Sequence, residues 1–439
     1  MPLLGHSPSG DASDMSATNS TALRVLRLCS VFEPPTSAVS GRGVKFDPIG
    51  GMQNHTAELT RALDRRGVVQ TVLTTRPPTA PLSERLGDHA RVIRLGLPVR
   101  QFRQLDGTQV TLLAPLLAAR TEVVHVHLGE DLAVLPAGAF AAKIHRLPLV
   151  LTVHTSIRHT LAVTDLRSAV LKTLGGPIER WGERSADAVL VVTPRLSRIL
   201  LSEDSEEARV HVIPPGVRPS LFAGPFEDPF AGIGRPRVLF MGRLVPHKGV
   251  RTLIEAAGIL RTSDVQVLLV GDGPERPVLE REVSRLGLVH TVHFLGFVPH
   301  SRVPAVLAHA DLLVLPSLYE ELGTVLLEAM WSSLPVVASR TGGIPDVVTD
   351  ETTGLLVPPG EPRALAKAID RVLGSPDLAR RLAEAASRQA KDYDWEVLAG
   401  RVLDVYRGVS SIGHRPRARY RAASGPRRYS AFHSCCPSA

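Results

Sequence analysis

Short apolar runs alternate along this chain with stretches whose apolar residues recur at helical spacing. Residues 23–29 read as a strand, and residues 51–66 as a helix with Leu59 and Leu63 on one face. Further strands are expected at 68–74, 92–95, 123–127, 149–154, 188–193 and 210–213. Strand–helix alternation of this kind argues for a parallel, doubly wound sheet.

The pattern then breaks. Pro214-Pro215-Gly216 and the Pro- and Gly-rich stretch 219–236 have the composition of a linker. Alternation restarts with strands at 237–241, 265–270, 292–294, 312–315 and 336–338. Helices are expected between them at 250–260, 275–286, 303–309 and 325–331, and a last one at 396–407. The chain therefore divides into a leader (1–22), a first Rossmann-like domain (23–218), a linker (219–236), a second Rossmann-like domain (237–395), a terminal helix (396–410) and a tail (411–439). In doubly wound sheets ligands bind beyond the carboxyl ends of the strands, so the loops there are the ones to read.

Composition narrows the classes. A chain of 439 residues with 44% hydrophobic residues can build two full cores. Aromatics make up only 4%, which suits aliphatic helix-on-sheet packing better than a stacking surface for nucleic acid. The net charge of +8 is unevenly placed: residues 411–439 hold six arginines and no acid, so the body is close to balance. Such a tail suits contact with anionic lipid or nucleic acid; the plainer alternative is a solvated, disordered end. Cys29, Cys435 and Cys436 form no plausible disulfide framework, which points to a reducing compartment. The leader is polar and no run reaches the ~18–20 apolar residues of a spanning helix, so a cytoplasmic protein, at most peripheral to a membrane, is expected.

Five loops carry candidate chemistry. Gly50-Gly51 precedes a helix, where paired glycines let the backbone approach an anion; an ordinary tight turn reads the same way. Arg243 and Lys248 share one strand-to-helix loop, Gly242-Arg243-Leu244-Val245-Pro246-His247-Lys248-Gly249. Two fixed cations match a nucleoside diphosphate and could stabilise it as a leaving group, a task that metal ions perform elsewhere. Glu320 lies in the loop after strand 312–315, Gly323 and Thr324 open the next helix, and Glu328 sits one turn further in. A carboxylate at an N-terminus is good helix chemistry by itself, but that does not explain Glu328 in an otherwise apolar helix. There its carboxylate can hold two sugar hydroxyls at once. His154 ends a buried strand, where a lone imidazole is as often structural as functional. His125 and His127 alternate onto one side of a strand, yet no metal-binding motif supplies a third ligand, so no metal is assigned.

Competing motifs fail. Gly271-Asp272-Gly273-Pro274 lacks the third glycine of a dinucleotide fingerprint, and no P-loop is present. Asp392-Tyr393-Asp394 lies near Trp395, away from any expected sheet edge, and is not read as a metal site.

Together and in this order, the loops resemble glycosyltransferase family 4, over about residues 23–407. The strings are Gly50-Gly51-Met52, Val-His-Val-His (124–127), Thr-Val-His-Thr (152–155) and Val-Ile-Pro-Pro-Gly-Val (212–217). In the second domain they are residues 242–249, 271–274, the Glu-x7-Glu pair Glu320 and Glu328, Gly342-Gly343-Ile344-Pro345, and residues 353–357. The resemblance implies a GT-B fold: two facing Rossmann-like domains with a C-terminal helix crossing back onto the first. It implies that Arg243 and Lys248 bind the donor diphosphate, Gly51 approaches it from the first domain, and Glu328 holds the ribose. Glu320, with the amides of Gly323 and Thr324, would meet the transferred sugar, and Val298 in segment 296–298 would meet the base. His154 would bond the donor sugar and help stabilise an oxocarbenium-like transition state. Retention of anomeric configuration, front-face attack and no required cofactor follow from the same likeness. Three positions depart from the family's usual residues: Leu322 replaces a Phe, Asp346 a Glu, and Pro215 an Asn.

The expected function is transfer of a hexose or N-acetylhexosamine from a nucleoside-diphosphate sugar, UDP first, to a hydroxyl of a small-molecule, cyclitol or lipid acceptor. The Gly-Gly-Met and Glu-Glu-Leu-Gly strings resemble branches acting on inositol phosphate and on aminocyclitol antibiotics. The rivals are a nucleotide-sugar 2-epimerase of the same fold and a non-catalytic nucleotide-sugar-binding module.

Overall fold

The computed structural model describes residues 22–33, 51–76, 80–96, 113–129, 132–160, 166–202 and 207–412. The expected leader and tail, apart from Ala22, Ser411 and Ile412, and Gly50, Cys435 and Cys436 lie outside these residues.

Two sheets result. The first contains β1 (Arg24–Cys29), β2 (Val69–Thr75), β3 (Ser83–Arg85), β4 (Ala90–Leu95), β5 (Val123–Leu128), β6 (Leu149–Val153), β7 (Ala188–Val191) and β8 (Val210–Val212). Their order is β3-β4-β2-β1-β5-β6-β7-β8, parallel except for β3 against β4. The second contains β9 (Arg237–Met241), β10 (Gln266–Val270), β11 (Val292–Gly296), β12 (Leu312–Leu315), β13 (Val336–Ser339) and β14 (Leu355–Val357), in the order β11-β10-β9-β12-β13-β14. All of its pairings are parallel. Each strand order reverses once, between β1 and β5 and between β9 and β12, which makes two topological switch points.

Helices cover the faces because parallel strands are apolar on both. The helix Trp395–Ile412 crosses back as the resemblance implied. Trp395, Leu398, Val402, Tyr406 and Val409, spaced three or four apart, are buried against Leu59, Leu63 and the strand residues Val25, Val123 and Leu190. Full burial of such side chains contributes on order of 1.5–3 kcal/mol each, so this helix belongs energetically to the first domain.

The chain passes between domains at two adjacent points. Val217 N–H donates to Tyr393 O (2.7 Å) and Trp395 N–H to Val217 O (3.1 Å). The segment 219–236 is packed rather than free: Phe230 is buried in the second domain's core, and Asp228 pairs with Arg237 at 2.8 Å. The crossing is thus at 216–217 and 393–395. Asp394 of the D-x-D string serves it, its Oδ1 accepting from Glu396 N–H at 2.8 Å.

Candidate active site

The loops after β9 and β12 flank the second sheet's switch point. Arg243 and Lys248 lie on the first and Glu320 on the second. Both are held by close backbone contacts that only glycine permits. A Cβ on Gly271 (φ 134°) would stand 1.8 Å from Gly242 O, and one on Gly342 (φ 55°) 1.8 Å from Glu320 O. The family's glycine strings are therefore braces behind the charged loops.

Lys248 Nζ donates to Glu320 Oε2, and the pair is mostly buried, with side chains 18% and 14% exposed. Arg243 Nε is buried with no hydrogen-bond partner among the described residues. A buried N–H without an acceptor is costly, and an anion bound beside it would remove that cost. Gly323 enters the helix Thr324–Trp331 with φ 78°; Leu326 N–H turns back to Gly323 O (2.8 Å), and the amides of Thr324 and Val325 precede the first intrahelical acceptor. Across the cleft, Gly51 opens the helix Gly51–Arg65, and a Cβ there would stand 2.8 Å from Thr324 Oγ1. The N-termini of these two helices therefore meet, and Glu320, which Lys248 binds, lies against the second of them, its Cγ 3.3 Å from a Cβ built on Gly323.

Glu328 is 8% exposed and accepts from His300 Nε2 at 2.8 Å. Burial pushes the His300 pKa down, but the hydrogen bond and charge of Glu328 outweigh it and hold the imidazole above its usual value. Both line a small interdomain pocket with His55, Asn54 and Trp395. His300 gave no sequence signal beyond lying two residues past Val298. Val298 itself packs partly buried on the second domain's core, beside the exposed Phe297 in the loop after β11.

Behind the first domain's loops lies a histidine cluster. His125 and His127 share a face, as alternation required, with ring centroids 4.2 Å apart. His154 Nε2 is 3.1 Å from His127 Nδ1, and His55 from the helix Gly51–Arg65 stands edge-on to His154 at 4.6 Å. His125 is bound on both sides, to Tyr406 Oη (2.6 Å) and Thr152 Oγ1 (2.7 Å). Arg27, 1% exposed in the middle of β1, reaches His127 Nε2 at 2.7 Å. Burial, and then neighbouring positive charge, holds His55, His125 and His127 well below the usual imidazole pKa and brings His154 down to about 3. These rings are neutral at any ordinary pH.

A second set of contacts ties the domains together. Glu321 accepts from Thr193 Oγ1 (2.8 Å), Arg195 Nη1 (3.2 Å) and Tyr319 Oη (2.7 Å), and Asp346 accepts from Arg195 N–H (2.8 Å). Burial raises the Glu321 carboxyl, partly offset by these donors. Asp346, one of the departures, is therefore an interdomain contact, while Leu322, another, is a buried core residue.

The fold and site define a GT-B glycosyltransferase. The family model for glycosyltransferase family 4 matches residues 49–221, and that for glycosyl transferases group 1 matches residues 227–389. An alpha-D-kanosaminyltransferase of Streptomyces kanamyceticus is 32% identical over 80% of this chain and 98% of its own length. A 2-deoxystreptamine glucosyltransferase of the same organism is 35% identical over 74% and 90%. Among solved structures, sucrose-phosphate synthase from Thermosynechococcus elongatus is similar with a TM-score of 0.73, 25% identity, and coverage of 89% of this chain and 99% of that one. The chain belongs to glycosyltransferase family 4, and it is an enzyme of the hexosyltransferase kind. Among the described residues no helix is long and apolar enough to cross a membrane.

Proposed function

We propose that this enzyme transfers a hexose or N-acetylhexosamine, with retention, from a UDP-sugar to a hydroxyl of an aminocyclitol. The observation that carries the donor half is the loop after β9, which sets Arg243, its Nε buried with no hydrogen-bond partner among the described residues, and Lys248, paired to Glu320, at the carboxyl end of the second sheet. That arrangement suits a diphosphate, whose charge grows as the glycosidic bond breaks. Charge-assisted hydrogen bonds contribute roughly 1.5–3 kcal/mol each, so Arg243 and Lys248 can do the work of a metal ion.

Glu328 holds the ribose hydroxyls in this reading, Glu320 and the amides of Gly323 and Thr324 hold the transferred sugar, Val298 sits at the base, and His154 donates to the sugar. The bond from C1 to the β-phosphate oxygen breaks while the acceptor oxygen bonds to C1 on the same face. The acceptor proton passes to the departing phosphate. The acceptor class rests on relatives named for 2-deoxystreptamine, one of them an N-acetyl-D-glucosaminyltransferase of Streptomyces fradiae at 33% identity.

The test is incubation with UDP-glucose, UDP-N-acetylglucosamine and a GDP-sugar, each with 2-deoxystreptamine or an inositol, followed by NMR of the anomeric proton. An α-linked product from an α-donor is expected. An inverted product, or an epimerised nucleotide sugar from donor alone, would overturn the reading.

A further inference from the structure

Two contacts in the histidine cluster fix where its protons sit. Arg27 Nη1 donates to Thr60 Oγ1 (2.5 Å) and Gln70 Oε1 (3.2 Å), which holds the guanidinium in place. Its Nη2 lies 2.7 Å from His127 Nε2. A guanidinium has donors and no acceptor, so His127 Nε2 must be the nitrogen with the lone pair. The proton of a neutral His127 is then on Nδ1. That atom faces His154 Nε2 at 3.1 Å, so His127 donates and His154 accepts. His154 is left with its proton on Nδ1.

The same reasoning disposes of a rival. His55, His127 and His154 bring ring nitrogens within 4.8 Å of one another, close enough to suggest a three-histidine metal site. His127 would have to offer Nδ1 to the ion, but Arg27 has claimed the lone pair on Nε2 and thereby protonated Nδ1. Binding would require an imidazolate beside an arginine.

We propose that Arg27 and His127 are positioning residues that lock His154 into the neutral Nδ1–H tautomer in which it donates to the transferred sugar. The proposal rests on the reading of His154 as a donor-sugar contact. Arg27 and His127 touch no substrate; they act by denying His154 Nε2 a proton. With the wrong tautomer, His154 would present a lone pair where a donor is needed. The sheet order makes this possible, since β1 beside β5 beside β6 puts all three side chains on one face.

Long-range 1H–15N NMR of the full chain with 15N-labelled histidine reads the tautomer directly. His154→Gln supplies the assignment. In the unaltered protein His154 should show a protonated Nδ1 and a bare Nε2. His127→Asn keeps an N–H near the Nδ1 position and should preserve that pattern with most of the kcat. His127→Leu removes the donor, so His154 should populate the other tautomer and kcat should fall about 10–100-fold with donor KM nearly unchanged. A proton on His154 Nε2 in the unaltered protein would overturn the lock even if neither His127 variant folds, as would an unchanged tautomer in His127→Leu. If the spectra are as expected but His154→Gln keeps full kcat, the lock is upheld and the reading of His154 as a sugar contact fails.

Discussion

The histidine cluster predicts a steep loss of stability in mild acid. Burial keeps His55, His125, His127 and His154 neutral in the folded protein, with His154 at about 3, whereas unfolded imidazoles titrate near 6.5. Because the folded values lie below the unfolded one, the unfolded chain binds more protons as pH falls below 6.5, and stability falls with pH. An imidazole that stays neutral throughout in the fold contributes a loss of at most about 1.4 kcal/mol between pH 8 and pH 5.5, so the four together set an upper bound of about 5–6 kcal/mol. His300 and Glu321, both shifted upward, work against this, while His211 and His293, both lowered by burial, add to it. A net loss of a few kcal/mol is expected, a large share of the roughly 5–15 kcal/mol that holds a typical domain together. The window from pH 6.5 to 5.5 lies above the ordinary carboxylate range, so imidazoles dominate it. Urea unfolding at pH 8 and pH 5.5 measures the difference. The fluorescence of Trp395, buried 4.9 Å from His55, reports on this region. A difference below about 2 kcal/mol would show that the cluster takes up protons in the folded state, and the neutral network would be wrong.

Three further outcomes follow from the proposed donor site. Arg243→Ala and Lys248→Ala should each lower kcat/KM by about 10²–10³ with little change in Tm, because leaving-group charge is stabilised most in the transition state; activity near that of the unaltered enzyme would remove this loop from the diphosphate. Glu328→Ala should raise donor KM more than it lowers kcat, since ribose contacts are alike in ground and transition states, and steady-state kinetics at saturating acceptor separates the two. Turnover should survive EDTA; full loss restored by Mn²⁺ or Mg²⁺ would show that the two cations do not suffice.

The parts legible in the sequence are those where one local rule decides. β9 and β12 were expected at their observed bounds, because central parallel strands are buried on both faces and read as unbroken apolar runs. The loop after β9 stood out for a related reason: two cations between glycines and prolines are explained by no packing demand. Elements that break a rule were missed. β3 is three polar residues at a sheet edge, and the helix Leu166–Ser185 contains Gly175, Gly176 and Pro177, residues that disfavour a helix interior. The linker expectation rested on composition, which could not reveal that Phe230 anchors the segment to the second core.

The site shows a different limit. His154, Arg243, Lys248, Glu320 and Glu328 each stood out by residue type at the end of a strand or the start of a helix. Arg27 also broke a local rule, being a charge in the middle of an apolar strand, and such breaks tend to mark functional or strained positions. Its meaning depends on strand order. Arg27 pairs in register with His125, and Cys29 with His127, only because the connection after β4 returns the chain to the other side of β1. His55 enters from a helix and Tyr406 from the far end of the chain, 281 residues from the His125 it binds. First contacts to a ligand are written in loops and can be read there. The network that sets the protonation of those contacts is written in topology, and no window of sequence contains it.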